Sequence, residues 1–106
     1  MPNALIVVAK RPVPGQAKTR LSPPLSPDEA AQLYECFLLD TLDLMRCVKD
    51  ARPILAYLPE DADDYFRCLA PGFDLMPQQG DDLGERLDNA FARCLTHGFE
   101  QVVIVD

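Results

Sequence analysis

Four cations, Lys10, Arg11, Lys18 and Arg20, lie within eleven residues of a chain whose formal net charge is −7. Clustered lysine and arginine suit an anion that offers several oxygens, and Gly15 between them allows the backbone to approach it closely. The chemistry open to such a loop is the holding of a phosphate or diphosphate, and the plainer alternative is a solvated basic turn. Gly15 and Lys18-Thr19 echo the phosphate-binding signature G-x-x-x-x-G-K-[ST], but the match fails. Ala17 stands where a glycine must precede the lysine, Gly15 is three residues ahead of Lys18, and Pro23-Pro24 stop a helix from starting directly after Arg20.

A second segment able to do chemistry is Gln79-Gly80-Asp81-Asp82-Leu83-Gly84-Glu85-Arg86-Leu87. Gly80 and Gly84 bracket a helix start, whose unpaired backbone N–H groups can receive an acceptor. Asp81 is placed to meet a ribose hydroxyl or to stay in water. The alternative is ordinary capping by Asp82, with Glu85 and Arg86 on a solvated face. A third candidate is Asp106, after the last apolar run, whose carboxylate could meet a metal bound to a diphosphate. His97, the single histidine, sits in a last helical turn where its charge suits the helix dipole; Glu60, Asp61, Asp63 and Asp64 suit a helix start by the same physics.

These residues need a frame, and the pattern supplies one. Ala4 to Ala9 is a short continuous apolar run, as expected for a central strand covered on both faces. Prolines 12, 14, 23 and 24 with Gly15 make Lys10 to Pro24 a long stiff loop. Ser26-Pro27-Asp28-Glu29 carries the marks of a capped helix start. That helix is expected to reach about Val48, burying Ala30, Leu33, Tyr34, Phe37, Leu38, Thr41, Leu44, Met45 and Val48 as one stripe. Strands are expected at Pro53 to Leu58, Phe73 to Met76 and Gln101 to Val105. Helices are expected at Glu60 to Leu69 and from Asp82 to the Gly98 stop, the latter burying Leu83, Leu87, Ala90, Phe91, Cys94 and Leu95.

The order β-α-β-α-β-α-β implies an α/β fold: a parallel sheet with right-handed crossovers, layered αβα. In such a sheet ligands bind beyond the carboxyl ends of the strands, where the order reverses. If the fourth strand flanks the first on the side away from the second, the basic loop faces Asp106. That fourth strand, apolar on both faces, reads as central, so residues 1–106 are expected to be one nucleotide-binding domain cut short at its C-terminal end.

Composition is ordinary for a packed domain, with 48% hydrophobic and 25% charged residues. The acidic balance argues against nucleic acid as partner, and no apolar run approaches the length of a membrane span or a secretory signal. Cys36, Cys47, Cys68 and Cys94 form no C-x-x-C pair and read as small reduced core residues, which fits a cytoplasmic setting.

Val8-Ala9-Lys10-Arg11-Pro12-Val13-Pro14-Gly15-Gln16-Ala17-Lys18-Thr19-Arg20-Leu21, followed by the Gln79 to Leu87 segment, resembles a bacterial family of GT-A-type nucleotide-diphospho-sugar transferases, some linked to arsenosugar biosynthesis. The resemblance covers essentially the whole chain. It implies the N-terminal half of a Rossmann-like GT-A fold in which Lys10, Arg11, Lys18 and Arg20 meet the phosphates and Gly80 to Arg86 lie near the nucleoside. It also implies a divalent metal, Mg or Mn, with Asp106 opening its motif, and a nucleotide-sugar donor. The Lys18-Thr19-Arg20-Leu21-Ser22 run is also similar to the first loop of guanylyltransferases acting on phospholactate, which implies a nucleoside triphosphate instead. A non-catalytic nucleotide-binding module, or a homo-oligomer joined through an open sheet edge, is the third possibility.

Overall fold

The structure, a computed structural model, describes residues 3–13 and 25–105. Gly15, Lys18, Thr19, Arg20 and Asp106 lie outside the described residues. The apolar run becomes β1 (Asn3–Lys10), and it is followed by α1 (Pro27–Arg46), β2 (Arg52–Leu58), α2 (Asp63–Leu69), β3 (Asp74–Pro77), α3 (Leu83–Thr96) and β4 (Gln101–Val105). The four strands form one parallel sheet in the order β3-β2-β1-β4. The expected α/β frame is therefore present, and β4 lies across β1 from β2.

Handedness explains the layers. The chain moves one way across the sheet from β1 to β2 to β3 and then returns to β4, so right-handed crossovers put α1 and α2 on one face and α3 on the other. Strand alternation agrees: Val7, Ala9, Leu55 and Tyr57 meet Leu38, Leu42 and Phe66, whereas Ala4, Ile6, Ile54, Ala56 and Met76 meet Ala90 and Cys94. The largest fully buried side chains are Phe66, Ile6, Leu42, Leu55 and Val7, each stabilising the fold by roughly 1.5–3 kcal/mol relative to exposure.

The helix starts follow their sequence signals. Ser26 Oγ accepts from Glu29 N at 3.1 Å while Glu29 Oε1 accepts from Ser26 N at 3.0 Å, a complete capping box with Pro27 in the first turn. These hydrogen bonds hold the Glu29 carboxyl below the usual glutamate range. Asp82 caps α3 by accepting from Glu85 N at 2.8 Å. His97 closes α3, its Nδ1 lying 2.7 Å from the Arg93 carbonyl.

Three expectations need correction. The buried line of α1 is Ala30, Ala31, Leu38 and Leu42, while Phe37, Leu44 and Val48 are exposed. Spacings of three and four admit neighbouring stripes around a helix with two apolar flanks, and the sheet packs against the one holding Leu42. On α3, Leu83 and Leu95 are exposed, because only the arc around Ala90 and Cys94 faces the strands. Cys36, Cys47 and Cys68 are exposed free thiols, and Cys94 alone is buried, where burial pushes its thiol pKa up. Among the described residues β4 stands at the edge of the sheet, with Val103 55% exposed.

Candidate functional site

The parallel sheet sends all four strand ends to one rim, so Lys10, Leu58, Pro77 and Val105 finish on the same side. The switch point falls between β1 and β4, the strands that diverge from a common centre. Lys10 ends β1 there, exposed, with its backbone N–H donating to Tyr34 Oη at 2.9 Å. Alternation places Lys10 on the sheet face of Ile6, the face that α3 covers.

Sequence reasoning passed over the residue that ties this rim together. Gln78 Nε2 donates to the carbonyls of Ala9, at 3.3 Å, and Ala56, at 3.0 Å, while its backbone N–H donates to the Tyr57 carbonyl at 2.9 Å. One side chain thus connects the ends of β1 and β2 to the loop after β3. Its neighbour Gln79 accepts from Asn89 Nδ2 at 2.8 Å, which fastens the same loop to α3. Ala9 and the Gly80 to Arg86 segment are therefore parts of one hydrogen-bonded unit, although about seventy residues separate them in the chain.

Gly80 is required by that geometry. Its φ is +139°, and a Cβ there would stand 2.8 Å from Arg86 N and 3.0 Å from the Glu85 carbonyl carbon. Gly84 is different: an added Cβ would make only an ordinary contact of 3.5 Å with Asp82 Oδ1. At the start of α3, Asp82 satisfies the amide of Glu85 with its side chain and that of Arg86 with its carbonyl. The amides of Leu83 and Gly84 have no partner among the described residues, so two N–H groups remain open where the helix dipole is positive. Arg86 follows, with its Nε buried and lacking a hydrogen-bond partner. Asp81 is exposed.

Arg11 does not accompany Lys10. Its backbone N–H donates to the Leu58 carbonyl at 2.8 Å, and its guanidinium lies over the Tyr65 ring, 5.3 Å from the centroid. It therefore stands on the β2 side of β1, at the mouth of a groove that also includes Asp61, Asp64 and Cys68. Tyr65 in turn donates to Glu35 Oε2 at 2.7 Å, and burial first, then this hydrogen bond, holds its hydroxyl pKa well above the usual tyrosine value. The two cations next to β1 thus diverge. Among the described residues no group of three His, Cys, Asp or Glu side chains could hold a metal ion.

Comparison with known proteins identifies the family. The model of the family described as "Uncharacterized protein conserved in bacteria (DUF2064)" matches residues 41–106, well over half of the chain. The chain belongs to the DUF2064 family. Within that bacterial setting, a crystal structure from Desulfovibrio desulfuricans G20, described as a "putative nucleotide-diphospho-sugar transferase", superposes with a TM-score of 0.88 at 35% identity. The match covers 96% of this chain and 45% of that one, so the DUF2064 chain spans less than half the length of its structural neighbour. No curated protein matches it. The fold is that of the corresponding part of the Desulfovibrio protein, and the family resemblance read from the two motifs is met. No helix among the described residues is long and apolar enough to cross a membrane.

Proposed function

We propose that the chain carries the donor-binding part of a nucleotide-sugar-dependent glycosyltransferase, holding the donor diphosphate at the carboxyl rim between β1 and β4. One observation carries this reading: the open amides of Leu83 and Gly84 at the start of α3 share a hydrogen-bonded rim, through Gln78, with the end of β1 from which the basic loop leaves. An anion at that rim meets a positive helix end together with Lys10, and Gly84 leaves room for it. The reading assigns Lys18, Thr19 and Arg20, with Gly15, to the phosphates, and Asp81, Glu85 and Arg86 to the nucleoside side. Arg11, held over Tyr65, is left to approach the ligand from the β2 side. The description of the Desulfovibrio structure supports the same class of ligand.

A divalent ion, Mg or Mn, belongs to the proposal only through Asp106, the residue after β4, since the described residues offer no ligand cluster. An enzyme handling nucleotide sugars in the cytoplasm agrees with the exposed free thiols of Cys36, Cys47 and Cys68, which suit a reducing compartment. The acidic balance weighs against nucleic acid, and the membrane is not part of the reading.

Isothermal titration of the protein with a panel of nucleotide sugars, with and without Mn²⁺, tests the proposal. Saturable binding that is lost in Lys18→Ala and Arg20→Ala is the expected result. Absence of binding by any nucleotide sugar at millimolar concentration overturns it, and pyrophosphate release from a nucleoside triphosphate would point to nucleotidyl transfer instead.

A further inference from the structure

At the opposite end of the sheet lies a second hollow of about 360 Å³, between the last turns of α3 and the first residues of β2 and β3. Its volume is within the range of small-molecule sites. The floor is apolar, with Ile54, Met76 and Cys94 buried and Phe99 half-buried. The rim is charged, and its charges are unequally matched. Arg52 is tied to Asp74 by both a Nη2–Oδ1 hydrogen bond of 3.2 Å and a close Nε–Oδ2 ion pair. Arg93 faces the same hollow from α3, and its guanidinium has no hydrogen-bond or ion-pair partner among the described residues.

Arg86 is the other described arginine with an unpartnered guanidinium nitrogen, in a chain with 17 acidic and 10 basic residues. Arg46 and Arg67 both have carboxylates, and Arg11 has an aromatic ring. His97 adds a second polar group to the rim. Its Nδ1 donates to the Arg93 carbonyl at 2.7 Å, so Nε2 is the accepting ring nitrogen and gives no hydrogen bond to an anion. A helix C-terminus ordinarily repels anions, but here the carbonyls of Arg93, Cys94 and Leu95 accept from the amides of His97, Gly98 and Phe99. The hollow therefore joins an apolar bed to an unanswered cation.

We propose that this hollow binds a small organic anion, a carboxylate or phosphate monoester on an aliphatic or aromatic body, with its head on Arg93 and its body on Ile54, Met76 and Phe99. The site goes beyond the donor reading, since its bed is formed at the first residues of β2 and β3 and Arg93 lies roughly 10 Å along α3 from Arg86. A ligand here leaves the carboxyl rim free.

The test is an NMR titration of the isotope-labelled protein with 4-phenylbutyrate and with phenyl phosphate, beside 4-phenylbutanol and inorganic phosphate. Either amphipathic anion is expected to shift the signals of Ile54, Met76 and Phe99 saturably, and comparing the two tells which head group is preferred. The neutral alcohol and bare phosphate should bind several-fold more weakly. Arg93→Gln, an exposed substitution that leaves the fold intact, should weaken the anion about fivefold. No saturable shift at these residues, an alcohol that binds as well as the acid, or an unchanged affinity in Arg93→Gln would each overturn the proposal. Nucleotide-sugar binding measured on the same variant is expected to be unchanged, so this site and the donor site stand or fall separately.

Discussion

At the residue scale, the two glycines of the second motif separate structure from ligand. Gly80 has a positive φ and no room for a Cβ, so Gly80→Ala is expected to cost about 1–3 kcal/mol of stability, read from urea unfolding. Gly84 meets neither restriction, and glycine near a helix start is less favourable than alanine by up to about 1 kcal/mol. On the donor reading proposed above, close approach of a ligand to the Leu83 and Gly84 amides is the reason for a glycine there. Gly84→Ala should unfold at the same or slightly higher urea concentration yet bind nucleotide sugar roughly tenfold more weakly, the value of one charge-assisted hydrogen bond. Unchanged binding in that variant would remove Gly84 from the site. Tyr65 offers a pH test of the groove beside Arg11. Because burial and Glu35 raise its folded pKa, the stability it contributes is complete below the unfolded tyrosine value near 10 and is lost as pH rises beyond that. The alkaline fall in stability measured above about pH 10 should be smaller in Tyr65→Phe than in the parent protein.

At the scale of elements, the packing of α1 is open to direct measurement. Leu42 is fully buried and Leu44 is 66% exposed, two residues apart on one helix. Leu42→Ala should destabilise by about 2–5 kcal/mol and Leu44→Ala by no more than about 0.5 kcal/mol in the same unfolding assay. Equal effects would show that the helix is rotated from its place here. This pair also shows how far the amino-acid pattern reaches. The kind and order of every helix and strand could be read from apolar runs, prolines and caps, because those signals are local. Which side of α1 meets the sheet could not, since Phe37, Leu44 and Val48 repeat with the same spacing as the line that is buried. The rim residues divide in the same way. Gly80 and Arg86 announce themselves beside a helix cap, whereas Gln78 owes its role to carbonyls on two other strands, and no spacing within its own segment reports them.

For the whole molecule, the consequence of that packing is an uncovered shelf. Glu35 and Arg46, on one flank of α1, point to Tyr65 and Phe73, hence toward β2 and β3. Helical geometry turns Phe37 and Leu44 the other way, toward the β1–β4 side of the sheet. Val105 packs into the core on that face, so alternation puts the exposed Val103 there as well. Beside this apolar shelf, β4 pairs only with β1 among the described residues and carries no charged or proline residue to blunt its outer edge. Such an edge is open to pairing with the β4 edge of a second copy of the chain. Expressed as these 106 residues, the chain should elute from gel filtration above its 11.8 kDa monomer mass, increasingly so at higher concentration. Val103→Lys places a charge on the shelf without touching the buried core, and it should return the chain toward the monomer. A monomeric parent at high concentration would show that this edge is protected in a way the sheet does not reveal; an associated Val103→Lys would move the interface elsewhere.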